Sequence, residues 1–298
     1  MRKVFFLLPP STSCIDMILV VGNLNYDILL PMDRFPSSHE KMTCESAVAG
    51  CGGSAANTAW WLAKLGVPVA LAGAVGSDPM GQAQLADLEA AGVRIRGVIR
   101  TPGSTGLAVI FSLGREKRMV RAPGANLHTT FFPGLLDGCR ILYLSGADIP
   151  VLAQYARGAR QRGITVLCGR HGAQDEAVAS HADGFILNSD EVRELTGVAD
   201  PEDGVRALDA RLAVVTLPEG GCLVSEGIEV VHVPSPELDP VDRTGGGDAF
   251  AAGFIAGFYS SLSLEECGEL GNKLASMVIM ERGGRPEISL GCELKFQV

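Results

Sequence analysis

Asp242-Arg243-Thr244-Gly245-Gly246-Gly247-Asp248-Ala249-Phe250 places three glycines and a carboxylate at the head of an apolar segment. Phe250, Phe254, Ile255 and Phe258 recur at helical spacing, so the glycines stand at a helix N-terminus, where unpaired amides and the helix dipole attract negative charge. Glycine tolerates positive φ and lets a ligand approach the main chain, so the amides of Gly245, Gly246 and Gly247 can converge on one oxyanion. Asp248, in the first turn, faces the same spot and can accept the proton of a hydroxyl that attacks a phosphorus atom. Together these residues are equipped for phosphoryl transfer to an alcohol. Taken alone, they also read as an Asp-stabilised helix start after a Gly-rich turn.

The elements that must hold this loop alternate between strand and helix, which points to a mostly parallel sheet covered on both faces. Residues 17–22 read as a first buried strand, 54–65 as a helix with Ser54 as its N-cap, 69–73 as a strand and 80–91 as a helix closed by Gly92. Later strands are expected near 141–144, 165–167, 184–187 and 213–217. Two stretches, about 28–50 and 97–121, carry strand-like residues and turns but no helix. They read either as a small β lid or as surface hairpins.

Composition narrows the classes. A net charge of −9 and a pI near 5.1 argue against a general nucleic-acid or anionic-membrane surface, so no nucleic-acid or membrane partner is expected. The eight cysteines are scattered without a C-x-x-C pair, which suits reduced thiols in a cytoplasmic protein and implies no zinc site. Residues 1–16 imitate a secretion signal, but the apolar run is short and Pro9-Pro10 interrupts it. Met17 opens the first strand, and residues 1–16 are expected to be an upstream extension that packs poorly. Residues 17–298 form one domain.

Other motifs join the glycine loop in order: Gly22-Asn23-Leu24-Asn25-Tyr26-Asp27, Gly52-Gly53-Ser54-Ala55-Ala56-Asn57, Val75-Gly76-Ser77-Asp78-Pro79-Met80-Gly81, Thr105-Gly106, Pro123-Gly124-Ala125-Asn126, Asn188-Ser189-Asp190-Glu191 and Val214-Val215-Thr216-Leu217. In this series the chain resembles the ribokinase-like (PfkB) family of sugar and nucleoside kinases, whose C-terminal signature D-T-x-G-A-G-D appears here as Asp-Arg-Thr-Gly-Gly-Gly-Asp. The resemblance implies a three-layer α/β sandwich with a mostly parallel central sheet and a small β lid, often the dimer contact in the family. It implies transfer of the γ-phosphoryl group of ATP to a primary hydroxyl of a small sugar. A nucleoside is the alternative acceptor, and a non-catalytic sugar or nucleotide sensor is a remoter reading.

The resemblance assigns Asn25, Asp27, Gly52, Gly53 and Asn57 to the sugar, with Asp248 as base. By themselves, Asp27 reads equally as a strand-end turn residue and Asn57 as a helix-start cap. Asn188 and Glu191 match the family's N-x-x-E, which holds magnesium (Mg2+) through waters; they also read as a helix N-terminus. Thr216, Gly221, Asn272 and Gly283 fall where the family meets the nucleotide, although Pro218 replaces one glycine there and removes a backbone donor. Asp242 and Thr244 offer oxygens to a monovalent cation such as potassium (K+), as in some members. Ser54 stands where ribokinase proper has lysine, and Leu167-Cys168-Gly169-Arg170 lacks the D-x-N of many sugar kinases. Trp60, Trp61 and Phe111 are candidate stacking surfaces for a nucleoside, or simply core. The basic run Arg115, Lys117, Arg118 and Arg121 is either a solvated strand face or, if turned inward, a receiver for a phosphorylated sugar.

Overall fold

The computed structural model describes residues 16–113, 116–146, 149–218, 220–227, 229–291 and 294. The expected extension over 1–16, apart from Asp16, and the basic residue Arg115 lie outside these described residues.

Met17–Gly22 (β1) is buried along its whole length, and its side chains alternate between two cores: Ile18 and Val20 enter one, Met17, Leu19 and Val21 the other. A strand apolar on both faces belongs inside a parallel sheet covered on both sides. The chain continues through β2 (Asn25–Pro31), β3 (Val48–Gly52), α1 (Ser54–Lys64), β4 (Val69–Gly76), α2 (Pro79–Ala91), β5 (Arg94–Thr101), β6 (Gly106–Leu113) and β7 (Glu116–Ala122). There follow β8 (Cys139–Ser145), α3 (Leu152–Arg160), β9 (Thr165–Cys168), α4 (Arg170–Gln174), α5 (Glu176–Ala179), β10 (Gly184–Asn188), α6 (Ser189–Thr196) and α7 (Pro201–Ala207). β11 (Leu212–Thr216), β12 (Cys222–Glu226), β13 (Glu229–Val233), α8 (Gly246–Tyr259) and α9 (Leu264–Val278) complete the fold.

The large sheet runs β13-β12-β11-β10-β9-β8-β1-β4-β5. It is parallel from β11 to β5, with β12 and β13 added antiparallel at one edge. One core lies between it and α1, α2, α8 and α9; a second lies under α3, and a smaller third under α6 and α7. This is a three-layer α/β architecture with a mostly parallel sheet. A separate four-stranded sheet, β3-β2-β6-β7, grows from the end of β1 through Asn23 and Leu24.

Two expectations change. The stretch expected to enter the small sheet from residue 97 includes β5, which instead pairs with β4 at the edge of the large sheet. The cause is apolar: Ile95 and Val98 pack against the main core. Helix α1 starts at Ser54, but Gly53, at φ 91°, is its N-cap, so Ser54 is the first helical residue and its hydroxyl is free for another task.

The helix that begins at the glycine loop, α8, is buried on nearly every side. It lies close against α9 through glycines: a Cβ on Gly253 would come within 2.9 Å of the Gly271 Cα, and one on Gly271 within 2.9 Å of the Phe250 ring. Phe254 is fully buried, stacked between Phe250 and Phe258 on the same helix. Phe254→Ala should therefore lower unfolding free energy by about 3–5 kcal/mol, the usual cost of a large aromatic cavity. The expected result in urea is a lower midpoint with an unchanged slope.

Candidate active site

Asn23, Ser145, Gly169, Asn188 and Thr216 stand at or just past the C-terminal ends of β1, β8, β9, β10 and β11, and all line one cavity of about 560 Å³. The C-terminal edge of a parallel sheet is where loops diverge and leave such a crevice. The small sheet forms the opposite wall with Asp27, Ala108, Ile110, Lys117, Met119 and Arg121; the loop before α8 brings Thr244, Gly245, Gly247 and Asp248.

Asp248 is half-buried at this cavity and is held from the side. The Asn57 Nδ2 donates to Asp248 Oδ2 at 2.8 Å, and the Asn57 Oδ1 accepts from Arg285 Nε at 2.8 Å. Arg285, its side chain 4 % exposed, also reaches Asp87 Oδ2 at 2.6 Å, Gln84 Oε1 at 3.1 Å and the Gly52 carbonyl at 3.3 Å. Desolvation pushes the Asp248 carboxyl up to about 7, with the charge of Asp27 adding to the rise; hydrogen bonds from Asn57 and Ser54 and the charge of Arg285 oppose it. The hydroxyl that was expected to cap α1 thus serves Asp248. Asn57, expected to hold a sugar hydroxyl with donor and acceptor alike, has one bond of each kind taken inside the protein. It orients the carboxylate.

Asp27 shares the cavity. Burial raises its carboxyl to about 6 against the lowering effects of Arg285 and the Gly53 amide. Its Oδ1 and the Oδ1 of Asn23 are buried without a hydrogen-bond partner, and both residues line the cavity. Asn25 also lines the cavity, and its Oδ1 accepts from Asn126 Nδ2 at 2.9 Å. Gly53 is in the wall. Gly52 is not; it makes room, since a Cβ there would lie 2.0 Å from Asp27 Oδ2.

The glycine loop is narrower than expected. Gly245 takes a left-handed φ of 77°, and a Cβ on it would meet Gly284 Cα at 2.4 Å. Gly246 turns its amide to the Arg243 carbonyl at 3.3 Å and packs against Ile279, so it is outside the cavity wall. Gly245 and Gly247 are in the cavity wall.

At the end of β10, Asn188 and Glu191 form a reciprocal capping box at the start of α6: Asn188 Oδ1 accepts from the Glu191 amide and Glu191 Oε2 from the Asn188 amide, both at 2.9 Å. Both residues line the cavity, and burial raises the Glu191 carboxyl despite its bond to Asn188 and the nearby Arg170. One Glu191 oxygen stays available, which fits a magnesium ion that keeps its waters and touches phosphate. No group of three or more His, Cys, Asp or Glu among the described residues could hold a metal by itself. Thr216 is in the wall, but Gly221, Asn272 and Gly283 are not. Asn272 donates to the carbonyls of Val233 and Pro234, Gly221 accommodates Val233 at φ 97°, and the Gly283 amide donates to Asp242.

The oxygens expected to receive a monovalent cation are already occupied. Lys117 Nζ reaches Asp242 Oδ1 at 2.5 Å and Thr244 Oγ1 at 2.7 Å. Trp60 and Trp61 are core residues, 8 % and 1 % exposed, and Phe111 packs edge-on against Phe35, so none stacks in the cavity. Sequence reading missed Arg285 altogether. Its signal was faint, a lone arginine two residues past the Gly283 position.

The family model for pfkB carbohydrate kinases matches residues 15–289. An ATP-dependent ribose-1-phosphate kinase of Halopiger xanaduensis is 33% identical over 285 residues, spanning 90% of this chain and 93% of that protein. A ribokinase of Lactococcus lactis is 26% identical over 284 residues, with 91% and 94% coverage. The crystal structure of adenosine kinase from Sinorhizobium meliloti superposes with a TM-score of 0.81 at 28% identity, covering 92% of this chain and 96% of that one.

Arg285 ties this site together, and replacing it tests the arrangement. In Arg285→Met the acid limb of the pH–activity profile should move to higher pH, because a cation that favours ionised Asp248 is gone. Stability should fall as well, because the variant loses the bonds of Arg285 to Asn57, Gln84, Asp87 and the Gly52 carbonyl. An unmoved limb in a folded variant would count against the Arg285–Asn57–Asp248 relay.

Proposed function

This chain belongs to the pfkB family of carbohydrate kinases, and from that premise we propose that it transfers the γ-phosphoryl group of ATP to a primary hydroxyl of a small sugar, with Asp248 as general base. The observation that carries this reading is the Asp248 carboxyl, raised to about 7 and lining one cavity with Gly245, Gly247, Asp27 and Asn23. Asp27 and Asn23 accept hydroxyl protons of the sugar and orient it. Asp248 takes the proton of the attacking hydroxyl as its oxygen bonds to the γ-phosphorus and the bond to the β–γ bridging oxygen breaks, releasing ADP. The amides of Gly245 and Gly247 and the N-terminus of α8 stabilise the charge on the transferring group. Glu191 and Asn188 would hold magnesium through waters, and the bound ion neutralises phosphate charge.

A free sugar is the first choice over a nucleoside because, among the described residues, Trp60, Trp61 and Phe111 are outside the cavity wall, and Tyr143, which is in it, is only 4 % exposed. A second reading, a sugar that already carries a phosphate, is favoured by one feature of register. Asp27 on β2 pairs with Ala108 on β6, which pairs with Arg121 on β7, so a carboxylate and a guanidinium share one row of the cavity wall across two strand spacings of roughly 5 Å each. The Halopiger relative is named for such a substrate. Val120, opposite in facing to cavity-lining Met119, is 63 % exposed and supports pairing of two copies through the small sheet. Among the described residues, six free cysteines, three of them buried, support a reducing cytoplasmic setting.

ATP consumption across free sugars, sugar phosphates and nucleosides separates the acceptors; a nucleoside outpacing every sugar would overturn the choice made here. Asp248→Asn should lose roughly a hundredfold to ten-thousandfold in turnover while keeping nucleotide affinity. Turnover equal to the parent's would remove Asp248 from its role. Because the folded protein holds this proton more tightly than the unfolded chain, ionised Asp248 lowers stability at pH 8, and the variant should melt no lower than the parent there. In the parent, kcat/KM should fall about tenfold per pH unit below about 7, where Asp248 becomes protonated and cannot accept a proton.

A further inference from the structure

Asp242 is a buried anion with a closed set of partners. Its side chain is 4 % exposed; Oδ2 accepts from the Gly283 amide at 2.9 Å, and Oδ1 accepts from the Thr244 amide at 2.9 Å and the Thr244 hydroxyl at 2.7 Å. The fourth partner is the ammonium of Lys117, which arrives from β7 in the small sheet and also touches Thr244 Oγ1. Burial works against ionisation of Asp242, yet the hydrogen bonds from Lys117, Gly283 and Thr244 together hold its carboxyl below the usual range. A buried carboxylate needs one compensating positive charge. Lys117 provides it.

The position matters because Thr244 leads directly into Gly245 and Gly247. A cation on Asp242 and Thr244 fixes the start of the loop whose main chain lines the cavity beside Asp248. An inorganic monovalent ion would need several oxygens around it, whereas an ammonium with three donors is satisfied by two or three acceptors. Among the described residues the Lys117 ammonium contacts two oxygens, within what an ammonium needs.

We propose that Lys117 is a built-in replacement for a monovalent cation: it supplies the positive charge at Asp242 and Thr244 from within the chain, so that the enzyme works without potassium, and it clamps the small sheet to the glycine loop. Lys117 acts through these two residues and is a positioning residue. The inference rests on the phosphoryl-transfer reading only for its activity arm.

Two measurements test it. Parent activity should be the same in potassium, sodium and tetramethylammonium chlorides at matched ionic strength; a parent several-fold faster in potassium would overturn the idea whatever any variant does. Lys117→Met should lose roughly tenfold or more in kcat/KM, equivalent to one charge-assisted hydrogen bond, and regain most of it when potassium or methylammonium is added. Melting temperature provides the arm that needs no turnover: potassium should raise it in Lys117→Met and leave the parent unchanged, as expected for an ion that binds only the folded variant. A folded variant that neither potassium nor methylammonium rescues or stabilises would sink the replacement. A parent that melts as expected but phosphorylates no acceptor would sink the kinase mechanism and leave the Lys117 clamp standing.

Discussion

A carboxylate that must act as a base cannot be left in water, where its proton affinity is too low, and cannot be buried without support, where it would stay protonated. Asp248 sits between these limits because Asn57 and Ser54 donate to it while the cavity withholds solvent. Asn57 can do so reliably only because Arg285 fixes its other end. Arg285 in turn is fixed by Asp87, Gln84 and the Gly52 carbonyl. The rest of the architecture supports this chain of contacts: α1 brings Ser54 and Asn57, α8 brings Asp248, α2 brings Gln84 and Asp87, and the segment after α9 brings Arg285.

Those four segments meet because one core holds them together. Trp61 illustrates the coupling: buried within α1, its indole donates to the Gly284 carbonyl at 3.0 Å, pinning the residue next to Arg285 against the helix that carries Asn57. The close approach of α8 to α9 through Gly253 and Gly271 has the same effect from the other side. Site geometry and packing are therefore not separable here. An enlarged side chain at either glycine would shift the helix that carries Asp248.

What the sequence made legible was local. The glycines and Asp248 announce themselves because their spacing within one helix start carries the chemistry, and β1 announces itself as an unbroken apolar run. Contacts between distant segments were illegible: Asn57 to Arg285 spans 228 residues and Lys117 to Asp242 spans 125. Motif position alone put Asn272 and Gly283 beside a nucleotide, yet the first bonds the carbonyls of Val233 and Pro234 at the end of β13 and the second bonds Asp242. Gly246 illustrates a subtler failure. Three successive glycines suggest three free amides, but the turn that starts α8 consumes one of them in its own backbone bond. The strand β5 was misplaced because alternating apolar residues do not say which of two sheets will bury them.

Asp27 and Asp248 feel each other across the cavity, the ionised state of one making the other harder to ionise. In the proposed reaction, whatever occupies Asp27 therefore acts on Asp248 before any phosphorus has moved. A hydroxyl donated to Asp27 spreads and damps its charge, and Asp248 sheds its proton more readily in consequence. In the proposed reaction, recognition at one end of the acceptor is thereby coupled to readiness at the other, and an ill-fitting molecule forgoes that added drive for Asp248 to ionise.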